Sequence, residues 1–226
     1  MPGRFALLCL SLAFTLPPVL LLASSSHASL IANGSFEASL GSCPDPSGGG
    51  YAVYSSPSAQ CISGWNVISA NVHYIGAYWQ AADGVLSIDL DGLGGASGGI
   101  EQTFASDVGA TYLVTFSMAG NPDNIPVVKP MRVAAAGQSA DFEFNTTGKT
   151  HSDMGWTRMQ WTFVATDVTT ALSFQSLTGE LGLATGWGAV VDDVSVVPVP
   201  EPAPALLLML GILALVHYRR AVAERG

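Results

Sequence analysis

Glu37 and the Asp192-Asp193 pair are hard oxygen donors near the two ends of a long strand-patterned stretch. Carboxylate oxygens completed by backbone carbonyls are what Ca²⁺ takes. Glu37 and Asp192 are therefore candidate ligands of a structural calcium, with Asp193 the weaker member of its pair. They can meet only if the first and last strands of the fold lie side by side. A second set is aromatic. Tyr78, Trp79, Trp65 and Trp187 stand in Gly-rich or turn-like sequence, with Gln80 and Asp83 close to the first two. Apolar ring faces beside carboxamide and carboxylate groups suit the face and edge of a pyranose. Tyr78 and Trp79 are the candidate ligand-binding residues.

Catalysis has little to stand on. Between residues 29 and 197 the only histidines are His73 and His151, and no serine sits in a nucleophile-elbow pattern, so a Ser-His-acid arrangement lacks a base. The 15 acidic residues of that stretch single out no pair for glycoside hydrolysis. Against them stand only Lys129, Arg132, Lys149 and Arg158. That imbalance repels nucleic acid and anionic membrane surfaces, and suits divalent cations, neutral polymers or simple colloidal repulsion. Cys43 and Cys61, with no histidine near them, are too few ligands for zinc; in an oxidising compartment they predict one disulfide closing the Gly, Pro and Ser-rich loop from Gly41 to Ser63. Such a bridge contributes roughly 3 kcal/mol through the unfolded state.

The chain ends argue for export. Arg4 opens a basic segment, Phe5 to Ala23 is almost wholly apolar, and Ser26-His27-Ala28 offers small residues for cleavage, so residues 1–28 read as a signal peptide. Cys9 leaves with it. At the other end Val199-Pro200-Glu201-Pro202 interrupts the strand pattern, an apolar run follows from Ala203 to Tyr218, and Arg219, Arg220 and Arg225 follow that. The prolines separate a folded domain from its tail. The run predicts a single C-terminal transmembrane helix over 203–218, short for a bilayer at about 1.5 Å per residue, with the arginines on the cytoplasmic side. Proline break, apolar helix and basic end, in that order, resemble the PEP-CTERM sorting signal. That resemblance implies an exosortase-type sorting peptidase as partner, Pro200, Glu201 and Pro202 as the motif it reads, and Arg219 and Arg220 as the stop.

The elements that must position these groups are strands. Tyr112, Val114, Phe116 and Met118 alternate with mostly hydroxyl residues; Leu86, Ile88 and Leu90 with Ser87, Asp89 and Asp91; Met159, Trp161 and Phe163 with Arg158, Gln160 and Thr162; Leu172 and Phe174 with Ser173 and Gln175. This period of two marks half-buried antiparallel strands. Leu30–Phe36, Val72–Ile75, Gly99–Phe104, Met131–Ala135, Asp141–Asn145 and Ala189–Val197 are further candidates, separated by turns such as Gly120-Asn121-Pro122-Asp123. The expected fold is all-β, an antiparallel sandwich of jelly-roll type over residues 29–197, flanked by the leader at 1–28 and the tail at 198–226.

Asn33-Gly34-Ser35-Phe36-Glu37, Tyr74 to Gln80, Ser87 to Gly92, Gln102-Thr103-Phe104, Met118 to Asp123, Gly155-Trp156-Thr157 and Val191 to Val196 occur in an order that resembles the choice-of-anchor C family. The resemblance implies a galactose-binding-like β-sandwich with an interchangeable C-terminal anchor, and related carbohydrate-binding sandwiches imply a structural calcium remote from the sugar. The segment between Cys43 and Cys61 reads as an insertion, and Asp193 stands where asparagine is equally expected. Together these features predict an exported, non-catalytic surface or matrix module of a Gram-negative bacterium. It would be associated with extracellular polysaccharide and held only transiently at the inner membrane through the tail helix. A purely structural acidic coat is the alternative, and a polysaccharide-acting enzyme stands third.

Overall fold

The computed structural model describes residues 28–39, 43, 46, 50–56, 61–94, 97–181, 186–200 and 204–223. Among them eleven strands form two antiparallel sheets: β1 (Tyr51–Ser55), β2 (Asn66–Ser69), β3 (Asn71–Ile75), β4 (Ser87–Asp89), β5 (Gly99–Ala105), β6 (Thr111–Gly120), β7 (Val128–Ala135), β8 (Gln138–Asn145), β9 (Thr157–Val164), β10 (Thr169–Ser176) and β11 (Ala189–Pro198). One sheet has six strands in the order β1-β3-β4-β11-β6-β9, the other five in the order β2-β5-β10-β7-β8. The chain crosses repeatedly from one sheet to the other, which is the jelly-roll arrangement the alternation predicts.

The inward residues are those the alternation selects. Val114, Phe116 and Met118 of β6 and Leu172 and Phe174 of β10 are fully buried. Phe116 meets Phe174 across the sandwich with ring centroids 5.2 Å apart, and Trp65 reaches the same Phe174 at 6.2 Å. Edge-on aromatic contacts of this kind add to the area each ring removes from water. Trp65, offered above as a sugar platform, is thus part of the core, with its Nε1–H donating to Asn33 O at 3.0 Å.

Three expectations change. Leu30–Phe36 is not a strand: Asn33 and Phe36 have φ of 51° and 62°, which bend the segment into turns. It still lies along β11, through Leu30 N–H to Val196 O at 2.8 Å and Val194 N–H to Gly34 O at 2.9 Å. The stretch from Gly41 to Ser63 is not all loop, because Tyr51–Ser55 forms β1 and pairs with β3 over five residues. The disulfide Cys43–Cys61 is present, with Cα atoms 5.5 Å apart. At the C-terminus a helix, α1, runs from Pro204 to Ala223. It extends through Arg219 and Arg220, and among the described residues no helix is long and apolar enough to cross a membrane. The apolar run itself is too short and its last turns are charged, so the expected transmembrane helix over 203–218 is not supported. Residues 1–27, Glu201 and Pro202 lie outside the described residues.

Candidate functional site

Alternation along β1 and β3 leaves Tyr51, His73 and Ile75 on the outer face of the six-stranded sheet, opposite the core residues Ala52, Val72 and Tyr74. These three floor a cleft of ≈ 370 Å³. Its walls come from four connections: Tyr78 after β3, Leu93 and Gly94 after β4, Asn121 and Asp123 after β6, and Gly186 and Trp187 before β11. Tyr51 and Tyr78 are exposed at 46% and 37%, while His73 on the floor is only 7% exposed.

The aromatic wall is fixed in place. Tyr78 donates its hydroxyl to Asp123 Oδ2 at 2.7 Å, and that bond pushes its pKa up to about 12. The other oxygen, Asp123 Oδ1, meets His151 Nε2 at 2.5 Å, and the His151 ring lies against Tyr78 at 4.5 Å. Tyr51 stands edge-on to Tyr78 at 5.7 Å and covers His73 at 4.8 Å. Asp123 N–H donates to Asn121 Oδ1 at 3.1 Å, closing the turn that the Asn-Pro-Asp sequence starts.

Behind this wall lies a buried polar cluster. Asn121 donates through Nδ2 to Asp89 Oδ2 at 2.8 Å, and Asp89 Oδ1 accepts from the backbone N–H of Asp91 and of Gly188, each at 3.0 Å. Lys129 is fully buried, and its ammonium donates to Asn124 O at 2.8 Å and Trp187 O at 2.7 Å. It therefore ties the turn carrying Asn121 and Asp123 to the segment carrying Trp187. Gly120 makes this possible, because a Cβ there would come within 2.6 Å of Lys129 Cγ. Burial pushes the Asp89 carboxyl up to about 7 and the Asp91 carboxyl upward as well. It pulls the Lys129 ammonium down to about 8 and the His73 imidazole below its ordinary value.

The acidic candidates meet on a single loop. Glu37 Oε1 accepts from the N–H groups of Val85 at 2.9 Å and Leu86 at 2.7 Å. Asp192 Oδ2 accepts from Ala82 at 2.8 Å and Asp83 at 2.9 Å. Gly84, with φ of 64°, sits between them, where a Cβ would fall 2.4 Å from the Glu37 carboxylate. Asp192 is fully buried, and desolvation pushes its pKa up to about 7. Asp193 turns away: the register slips between Asp192 and Ser195, and Asp193, at φ 49°, pairs with Arg158.

Of the sequence candidates, Tyr78 and Trp187 face the cleft. Trp79 does not: it is 5% exposed and its Nε1–H donates to Ser87 Oγ at 3.0 Å. Gln80 and Asp83 lie outside the cleft's lining, and His151 acts through Asp123. Tyr51, Asn121, Asp123 and Lys129 went unread as site residues. Asn121 and Asp123 carried only a turn signal, and Tyr51 was hidden in a Gly-rich stretch. The one available hint was Lys129, a lysine between Val128 and the strand-like Met131–Ala135.

Among known proteins the chain is similar to halomucin of Haloquadratum walsbyi, 31% identical over 180 residues, which is 79% of this chain and 2% of that protein. Among solved structures, TmCBM61 in complex with beta-1,4-galactotriose is 15% identical with a TM-score of 0.43, over 76% of this chain and all of that one. A family 35 carbohydrate binding module from Clostridium thermocellum is also 15% identical, with a TM-score of 0.41, over 65% of this chain and 96% of that one. The profile described as "Protein of unknown function (DUF642)" matches residues 29–197, from the segment that lines β11 almost to the end of β11 itself, and the chain belongs to that family.

Proposed function

We propose that this chain is an exported, non-catalytic module that holds extracellular polysaccharide in the aromatic cleft. The observation that carries the reading is the cleft itself, in which the rings of Tyr51 and Tyr78, with Trp187, stand beside the polar edges of Asn121 and Asp123, already tied in position. A site held rigid before its ligand arrives loses little freedom on binding. Glycoside hydrolysis needs two carboxylates across the scissile bond. Among the described residues the cleft lining offers one, Asp123, already engaged by Tyr78 and His151. The Cys43–Cys61 disulfide fits an extracellular protein. In the full reading the tail, which resembles PEP-CTERM, is processed by an exosortase-type peptidase after a transient stay at the inner membrane, and the sandwich is of the choice-of-anchor C kind. The test is retention of the purified chain on the producer's own exopolysaccharide. Tyr78→Ala is expected to weaken it at least tenfold, about 1.4 kcal/mol. Equal retention of both proteins, or of neither, defeats the cleft as a glycan site and leaves the acidic coat as the better description.

Calcium at Glu37 and Asp192 belongs to the same proposal. Glu37 Oε1 and Asp192 Oδ2 accept from the amides of residues 82–86 and Asp192 Oδ1 accepts from the Asp193 N–H at 2.6 Å, while Glu37 Oε2 makes no hydrogen bond to a described residue and no cation stands beside the buried Asp192 among the described residues. Among the described residues no third His, Cys, Asp or Glu joins them, so carbonyl and water oxygens must complete the set. Metal that binds only the folded chain stabilises it. Melting with Ca²⁺ is expected to exceed melting with EDTA by several degrees, and Glu37→Gln, which keeps the acceptor for the loop amides, is expected to abolish the difference. Superimposable wild-type curves exclude the metal.

A further inference from the structure

Among the described residues, Asp123 is the one carboxylate in the cleft lining. Its side chain keeps 28% of its surface open, so a ligand can reach it. Both oxygens are anchored: Oδ2 accepts from the Tyr78 hydroxyl at 2.7 Å, and Oδ1 meets His151 Nε2 at 2.5 Å. A carboxylate offers about four acceptor sites, two on each oxygen. One site on each oxygen therefore stays unfilled, while Tyr78, His151 and the turn closed by Asn121 Oδ1 keep the group from swinging away. His73 Nε2, on the floor, is closed off from the cleft and offers no rival contact.

Resting on the glycan reading of the cleft, we infer that Asp123 is its specificity-determining residue, accepting from two hydroxyls on neighbouring carbons of an uncharged pyranose packed against Tyr78. Such a pair presents two donors side by side, as a guanidinium does to a carboxylate, and hydrogen bonds to an ionised acceptor are the strong ones. A uronate keeps the same pair but adds a carboxylate, which can only accept. It would enter beside Asp123, with the acids Asp89 and Asp91 buried behind the wall. Lys129 is fully buried and held by Asn124 O and Trp187 O, and His151 is already engaged by Asp123 Oδ1, so neither turns to meet an incoming anion. The cleft thus discriminates by like-charge repulsion of the wrong ligand as well as by attraction of the right one.

Isothermal titration of the full chain with cellotetraose, xylotetraose and mannotetraose, against tetragalacturonate, tests this. At least one neutral probe is expected to bind, with tetragalacturonate at least tenfold weaker. Asp123→Asn keeps an acceptor for Tyr78 and a partner for His151 but loses the charge and one acceptor oxygen. It is expected to weaken the neutral probe about tenfold, the worth of one hydrogen bond to a charged acceptor, without weakening tetragalacturonate. Equal weakening of both would make Asp123 a structural residue and overturn the inference. Methylating the 2- and 3-hydroxyls of the neutral probe is expected to abolish its binding. Should Asp123→Asn fail to fold, as melting would show, the methylated probe and the neutral-to-acidic ratio still decide. Neutral binding within twofold of wild type in Asp123→Asn, retained binding of the methylated probe, or tetragalacturonate binding as tightly as the neutral probes also overturns it; if Tyr78→Ala still abolishes binding, the cleft reading stands. Absence of binding by every probe overturns both.

Discussion

Lys129→Met is expected to lower the stability of the sandwich by about 1–3 kcal/mol, the usual cost of leaving buried hydrogen-bonding groups unsatisfied. Methionine fills most of the same volume, so the loss comes from polarity rather than from a cavity. Asn124 O and Trp187 O lose their donor, and the buried Asp89 and Asp91 lose a nearby positive charge. Urea denaturation measures the effect directly, and a midpoint within experimental error of wild type would mean that the ammonium is dispensable. The pH profile adds a second readout. In the folded protein Asp89 and Asp192 titrate at about 7, against 3.8 in the open chain. The folded state thus keeps protons that the unfolded state has lost, and stability falls as pH rises from about 4 to 7. Lys129 acts in the opposite sense. Its folded value of about 8 lies below 10.5, so the unfolded chain holds the extra proton and stability climbs between those values. In Lys129→Met that alkaline rise disappears and the fall extends to higher pH, because the buried carboxyls lose a nearby cation.

Glu201→Ala is expected to change the fate of the whole protein. If a sorting peptidase reads Pro200-Glu201-Pro202 at the outer membrane face, the wild-type chain made in a host with that enzyme ends near the motif and is found outside the inner membrane. The alanine variant stays longer by the tail and cofractionates with the inner membrane. Among the described residues no helix is long and apolar enough to cross a membrane, so in this proposal Arg219 and Arg220 would have to keep the end of α1 at the cytoplasmic side while the motif is read. Intact-mass measurement of the two fractions decides the matter. Recovery of peptides beyond Arg220 from wild-type protein at the cell surface rules the sorting role out.

Strands whose faces differ in polarity were legible, and this accounts for most of the sandwich: β6 and β9 follow from alternation within one or two residues of their observed ends, and β10 is found with its first three residues missed. Where both faces are covered, alternation says less. In β4 all three residues are buried, Asp89 among them, so the polar members of the pattern looked solvated when they lie beneath the cleft wall. Short strands failed for a different reason. β1 and β2 hold five and four residues in Gly and Ser-rich surroundings, and their pairing with distant β3 and β5 decides them. The cleft depended on the same long-range pairings, since its lining spans Tyr51 to Trp187. Glu37 and Asp192 were singled out as hard oxygen donors at the first and last expected strands; the loop between them, whose amides both carboxylates grip, carried no such mark.

The segment at Leu30 runs antiparallel beside Val196, so the ends of the domain leave from neighbouring points on one edge. When a folded module is pulled, the direction of pull decides how its hydrogen bonds share the load. Force applied between the two ends here loads the Leu30 to Val196 bond first and the Val194 to Gly34 bond next, one after another, as a zipper opens. The domain therefore meets an end-to-end pull with single bonds in turn rather than with a whole strand at once.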